Sequence, residues 1–206
     1  IQIRPLKFGS CARIAVKTNE RYGCPRLTAP FAIIESSLYS ATECVRRVII
    51  SVIGAGRPTA DVTLAAERVG FELARRGATV VCGGLGGVMQ GACFGAKLGG
   101  GTTIGILPWN DPRAANQWVD IPICTGLGYA RNVIIVKTGR ATIAVGGAFG
   151  TLSEIGHALG ENIPVVGLGT WELHRNGGVD KAIIVASDPV DAVEKALEAA
   201  RLRDEA

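Results

Sequence analysis

The 206-residue sequence is poor in several residue types, and each shortage removes a class of function. It has two histidines, His157 and His174, and six cysteines (Cys11, Cys24, Cys44, Cys82, Cys93 and Cys124) without a CxxC pair among them. No metal-site spacing results, so no metal is expected. Reduced thiols in a cytoplasmic protein are the simpler reading of the cysteines. Aromatic residues make up only 5% of the chain. The apolar content therefore rests on Ala, Val, Ile and Leu, as in parallel sheets covered by helices. No apolar run approaches the roughly 20 residues that span a bilayer, and no signal-peptide pattern opens the sequence, so no membrane role is expected. Excess positive charge is scarce as well. Net charge is +4, with six Lys/Arg against three Asp/Glu in residues 1–45 and sixteen against fifteen in residues 46–206. A nearly neutral body gives no electrostatic footprint for nucleic acid.

Residues 1–45 read differently from the rest. Pro5, Pro25 and Pro30 interrupt them, half of the cysteines fall in them, and only Ala32 to Glu43 has a helical pattern. They are expected to be an N-terminal extension or upstream sequence outside the functional domain; the alternative is an arm that packs on a partner subunit. Residues 46–206 are long enough for one domain with its own core.

From Arg46 the pattern is regular. Strands are expected at Val48 to Ile53, Thr79 to Cys82, Thr102 to Leu107, Ala141 to Val145, Pro164 to Leu168 and Ile183 to Ala186. Pro122 makes Trp118 to Cys124 an edge strand or no strand. Helices are expected at Ala60 to Arg76, Val88 to Leu98, Tyr129 to Val136 and from Thr151 to near Leu159. A last helix is capped by Asp188, with Pro189 at its first position, Asp191 completing a box-like start, and Val190, Val193 and Leu197 as its buried face. Trp171 to Gly178 reads as a polar loop, and Met89 as core. The alternation implies an α/β fold: one Rossmann-like, doubly wound domain with a mostly parallel sheet covered by helices on both faces.

The 28 glycines cluster at strand ends, which excludes repetitive, low-complexity readings. Three clusters matter. Gly54-Ala55-Gly56 lacks the third glycine of a dinucleotide fingerprint and no acid closes the following strand, so NAD is not expected. A tight turn and a ligand contact are equal readings there. Gly83, Gly84, Gly86 and Gly87 are more glycine than turning requires, which favours phosphate contact, but no Walker lysine follows. Gly146, Gly147 and Gly150 lead into a helix with Thr151 in its first turn. Such a turn offers bare N–H groups, a helix N-terminus and a hydroxyl to an anion, though Thr151 capping its own helix uses the same geometry. Ligands bind beyond the carboxyl ends of parallel strands, so the turns share one crevice if their strands are neighbours. Glu154 sits one helical turn on, and Arg131 begins another helix, where a cation is unfavourable unless it faces an anion. The plain alternatives are a first-turn acid and a surface arginine. Ser153 reads as helix surface, His157 as surface or core, and Cys82 and Cys93 as small core residues.

The stretches CGGLGGVMQGACFGAKLGGGTTIGILP, DIPICTGLGYARN and GGAFGTLSEIGHAL resemble the Rossmann-like superfamily of the "lonely guy" (LOG) phosphoribohydrolases, once misnamed lysine decarboxylases. The superfamily also contains the molybdenum cofactor carrier proteins, and the resemblance is strongest to that branch. In the hydrolases' PGGxGTxxE motif, Gly146 stands at the proline and Ala148 at the second glycine, while Gly147, Gly150, Thr151 and Glu154 match. Arg131 matches the arginine of their second signature, with Asn132 in place of the following lysine and Gly128 and Tyr129 in place of the preceding Met and His. The resemblance implies a nucleotide-like phosphorylated ligand with its phosphate on Gly147, Gly150 and Thr151, and Arg131 and Glu154 as the candidate catalytic residues. It implies one of two activities. The first is hydrolysis of a nucleoside 5′-monophosphate to base and ribose 5-phosphate, with Glu154 stabilising the cationic sugar. The second is non-catalytic carriage or sensing of molybdenum cofactor or a nucleotide, with no other cofactor required. A homodimer or higher homo-oligomer is also implied.

Overall fold

In the computed structural model, described for residues 47–205 and for the backbones of two short strands before them, the fold follows the alternating pattern. Those strands, β1 (Lys17–Thr18) and β2 (Pro25–Arg26), pair antiparallel. The expectations for residues 1–45, including the helix from Ala32 to Glu43, otherwise lie outside the described residues.

The main sheet has seven parallel strands: β3 (Ile49–Gly54), β4 (Thr79–Cys82), β5 (Thr103–Leu107), β6 (Ile121–Cys124), β7 (Ala141–Val145), β8 (Val165–Leu168) and β11 (Ile183–Val185). Their spatial order is β11-β8-β7-β3-β4-β5-β6. The sheet starts in the middle with β3, builds outward through β4, β5 and β6, and then continues on the other side of β3. The order therefore reverses between β3 and β7, and the crevice outside a parallel sheet opens at such a reversal. Strand β6 is the edge, as Pro122 requires, and extended pairing begins only at Ile121.

Alternation along the strands splits the core into two layers. Ile50, Val52, Val80, Ile143 and Val145 face α1 (Ala60–Arg75), α2 (Val88–Leu98) and α5 (Pro189–Glu205). Ile53, Val81 and Ala144 face Ile135 and Val136 of α3 (Asn132–Thr138) and Ile155 and Ala158 of α4 (Phe149–Gly160). Helices α1 and α2 approach closely because glycine lets their backbones touch. A Cβ on Gly95 would collide with the Glu67 carbonyl oxygen, and one on Gly70 with that of Ala92.

Several local expectations need correction. The segment Trp171 to Gly178 is not a loop throughout. It holds a hairpin, β9 (Leu173–Arg175) with β10 (Gly178–Asp180), turned by Asn176 and Gly177 at φ 54° and 80°. Asn-Gly is the preferred pair for a turn needing two positive φ angles. The helix expected from Tyr129 opens as a 3₁₀ turn, Gly128–Arg131, and becomes α-helical only at Asn132. The buried face of α5 is Ala192, Val193, Ala196 and Ala200, with Val190 and Leu197 only flanking it. Asp188 does cap α5, accepting from the N–H groups of Val190 and Asp191, but Asp191 reaches back to the N–H of Ser187 instead of Asp188. Met89 is half-buried and outside the core. Ser153 and His157 are exposed, and Cys82 and Cys93 are buried. Among the described residues no helix is long and apolar enough to cross a membrane, and no group of three His, Cys, Asp or Glu is placed to hold a metal.

Candidate functional site

The three glycine turns follow β7, β3 and β4, which are adjacent in the sheet. The condition for a shared crevice is therefore met at the point where strand order reverses. Contacts tie the turns together. A Cβ on Gly54 would stand 2.6 Å from the Val145 carbonyl oxygen, and one on Gly87, at φ 67°, would overlap Ala55 and Gly56. The Val88 N–H donates to the Ala55 carbonyl at 3.1 Å. Asn116 clamps the second turn, donating from Nδ2 to the carbonyls of Gly84 (3.2 Å) and Leu85 (2.9 Å).

The glycines divide by surroundings. Gly54, Gly83, Gly84, Gly87 and Gly146 are pressed against protein atoms, so their missing side chains allow close packing. Gly56, Gly147 and Gly150 are exposed, and Gly86 is half-buried beside open space. Ala148 stands at the N-cap of α4 and supplies no side-chain cap. The first-turn N–H groups of Phe149, Gly150 and Thr151 therefore lack the acceptor that a Ser or Asp at that position would supply. The Thr151 hydroxyl is turned back, accepting from the Ala148 N–H at 3.4 Å, and the residue is 2% exposed. This is a capping contact at the start of α4.

Arg131 and Glu154 meet. Nη1 of Arg131 lies 3.8 Å from Oε1 of Glu154, and both residues are buried. The surface-arginine reading fails: Arg131 ends the 3₁₀ turn beneath the crevice. A Cβ on Gly83 would fall 2.6 Å from its Nη2 and 2.6 Å from the Met89 sulfur. Asn132 Oδ1 accepts from Nη1 at 2.7 Å, while Nε has no partner among the described residues. Burial lowers the Arg131 pKa, partly offset by Glu154. Burial also raises the Glu154 carboxyl to about 7, against the opposing pull of Arg131. The pair is thus under-satisfied: a buried cation with a loosely placed counter-charge. An incoming dianion would complete it.

Cys82, at the end of β4, lies under this pair. Its sulfur accepts from the Gly84 N–H at 3.3 Å and stands 3.5 Å from that of Cys93. The hydrogen bond to Cys82, followed by burial, pushes the Cys93 thiol well above its ordinary value. Both thiols are core groups. The contributions of Asn132, Asn116 and Met89 were missed in the sequence, because nothing local distinguishes an asparagine that orients an arginine from one on a surface. Ala148 did carry a signal: a helix start without a capping residue, directly after a glycine turn.

Two cavities flank the crevice. One of about 390 Å³ starts at Gly87 and runs between Thr63, Glu67 and Gln90 to Phe94 and Trp118. Another of about 320 Å³ starts at Gly146 and Gly147.

The chain is similar to several known proteins. The molybdenum cofactor binding protein of Rippkaea orientalis is 34% identical and superposes with a TM-score of 0.68, over 75% of this chain and 98% of that one. The molybdenum cofactor carrier protein of Chlamydomonas reinhardtii is also 34% identical, with a TM-score of 0.65 over 74% of this chain and 98% of that one. An uncharacterised protein of Archaeoglobus fulgidus is 46% identical over 119 residues, 58% of this chain and 78% of its own. Residues 47–193, which contain the three glycine turns, Arg131 and Glu154, match the SLOG cluster4 family, and the chain belongs to that family.

Proposed function

We propose that this protein binds a phosphorylated small molecule bearing a nitrogen heterocycle, and that it carries this molecule without converting it. The phosphate sits on the uncapped first turn of α4 and on the Gly56, Gly86 and Gly147 backbones, with Arg131 as its counter-charge. The observation that carries the reading is the under-satisfied Arg131, buried and 3.8 Å from its only acidic partner among the described residues. The 34% identity to molybdenum cofactor proteins over 98% of their chains supports a pterin-type cargo. Such a cargo has a terminal phosphate that suits the cradle. The changed residues around Arg131 (Gly128, Tyr129 and Asn132) support carriage over an adenine-reading hydrolase. The protein is expected to do this as a homodimer or larger homo-oligomer, which light scattering reads directly. Mass spectrometry under non-denaturing conditions tests the cargo: a co-purifying phosphorylated pterin is expected. Loss of that adduct in Arg131→Ala, with the fold intact, supports the cradle. An adduct without phosphate overturns it.

A second reading rests on the retained Glu154. A buried carboxylate beside an arginine can stabilise an oxocarbenium-like sugar while water adds at C1′ and the base leaves with a proton. Base release from a panel of nucleoside 5′-monophosphates, abolished by Glu154→Gln, would establish it. No turnover of any member would remove it.

A further inference from the structure

The cavity of about 320 Å³ beside the β7 turn contains chemistry that the phosphate cradle leaves unused. It is lined by Gly146, Gly147, Gly169, Thr170, Trp171 and Glu172, so its floor is the same Gly146–Gly147 backbone that borders the cradle. Its volume is at the lower end for ligand pockets and is enough for a bicyclic ring.

Three observations characterise it. The Thr170 hydroxyl oxygen is buried and has no hydrogen-bond partner among the described residues. It lies beside Gly147, where a Cβ would come within 3.2 Å of it, at a φ of 150° that side chains rarely adopt. A buried hydroxyl without a partner is costly, and such a group at a cavity wall suits a ligand that supplies one. Next, Trp171 is fixed in orientation: its Nε1 donates to the Ala148 carbonyl at 3.4 Å, and its ring stands 5.8 Å from that of Phe149, tilted by 34°. Phe149 itself, the first residue of α4, is 81% exposed. The chain thus holds a flat aromatic surface open to solvent at the mouth of an anion site. Finally, Glu172 places a carboxylate on the cavity rim, with His174 Nε2 2.7 Å from its Oε1.

The geometry points to a ring subsite: Trp171 and Phe149 stack the heterocycle of the ligand whose phosphate occupies the α4 cradle, and Thr170 and Glu172 read its edge. This rests on the proposed function above and specifies its ligand. A carboxylate accepts from adjacent N–H donors. The 2-amino-4-oxo pyrimidine edge of a pterin or guanine offers a ring N–H beside an amino group, whereas neutral adenine has no ring N–H next to its amino group. The Thr170 hydroxyl can donate to the 4-oxo oxygen or accept from ring nitrogen. The subsite therefore takes a 2-amino-4-oxo heterocycle.

Titration calorimetry with 6-hydroxymethylpterin phosphate and with ribose 5-phosphate, which has no ring, tests this. The wild-type protein should bind the pterin phosphate more tightly. Trp171→Ala and Phe149→Ala should each weaken pterin phosphate binding by roughly fivefold or more, the lower range for loss of a stacking side chain. In Trp171→Ala, ribose 5-phosphate binding should be unchanged, and Trp171→Phe should restore part of the difference. Thr170→Val should act in the same direction with the fold intact by circular dichroism. If ribose 5-phosphate binds and the pterin phosphate is no tighter, or the alanine variants keep full affinity, the ring subsite is wrong and the phosphate cradle stands. Equal weakening of both ligands also overturns the subsite. If the wild-type protein binds neither compound, the cradle itself is wrong.

Discussion

Replacing Glu154 by glutamine should make the stability of the protein less dependent on pH, and the size of the effect follows from the carboxyl's surroundings. Glu154 is 6% exposed, and burial raises its pKa from 4.5 to about 7 even with Arg131 3.8 Å away. Between those values the folded protein holds a proton that the unfolded chain has released. Stability from this group is thus fully present below pH 4.5 and falls as pH rises through about 7. A displacement of this size corresponds to about 3 kcal/mol between pH 4.5 and pH 8. Glutamine has nearly the shape of the protonated acid and no charge to bury. Urea unfolding followed by tryptophan fluorescence at several pH values, at fixed ionic strength, should therefore show wild-type stability falling relative to Glu154→Gln by about 3 kcal/mol across the window. Parallel pH profiles would refute the argument: Glu154 would then be ionised throughout, and Arg131 would already be satisfied. A gap that widens in the opposite direction would mean that the ion pair outweighs the burial.

The same ionisation should govern ligand affinity. A phosphate ester and an ionised Glu154 compete for Arg131, so affinity for ribose 5-phosphate should fall as pH rises through about 7 in the wild-type protein relative to Glu154→Gln, measured by calorimetry. Gly83→Ala should damage the site more than the fold. The nearest atoms to its Cβ would be those of the Arg131 guanidinium and the Met89 sulfur, from 2.6 Å, both side-chain ends, so ligand affinity should drop about tenfold (roughly 1.4 kcal/mol), with a small change in melting temperature. Gly95→Ala should do the reverse: its Cβ would meet the backbone of Glu67, which cannot move without parting α1 from α2. Destabilisation of about 3 kcal/mol is expected in urea unfolding, with little effect on affinity in the fraction that stays folded.

The strands and most helices were readable because each reports its own local physics. Thr79–Cys82, Val88–Leu98 and Ala141–Val145 begin and end where the pattern places them, with glycine turns and apolar runs marking their bounds. The errors fell where a local signal was passed over or where several elements decide together. Asn176-Gly177 was a hairpin signal inside a segment read as loop. The burial face of α5 is set by small alanines that fit against the sheet, and hydropathy alone favours the larger Val190 and Leu197 instead.

The site divides in the same way. The sequence by itself determined that three glycine turns end parallel strands, that α4 starts just after one of them, and that an acid stands one helical turn behind it while an arginine begins another helix. These are properties of short segments, fixed by backbone freedom and periodicity. Only the tertiary structure decided that β7, β3 and β4 are neighbours, so that turns up to 92 residues apart share one crevice. It alone decided that Arg131 is buried against Gly83 and short of partners, and that the hydroxyl of Thr151 is turned inward while that of Thr170 is left without a partner. Strand order and burial arise from packing between distant segments, and that packing sets the charge state of Glu154 and the open coordination of Arg131.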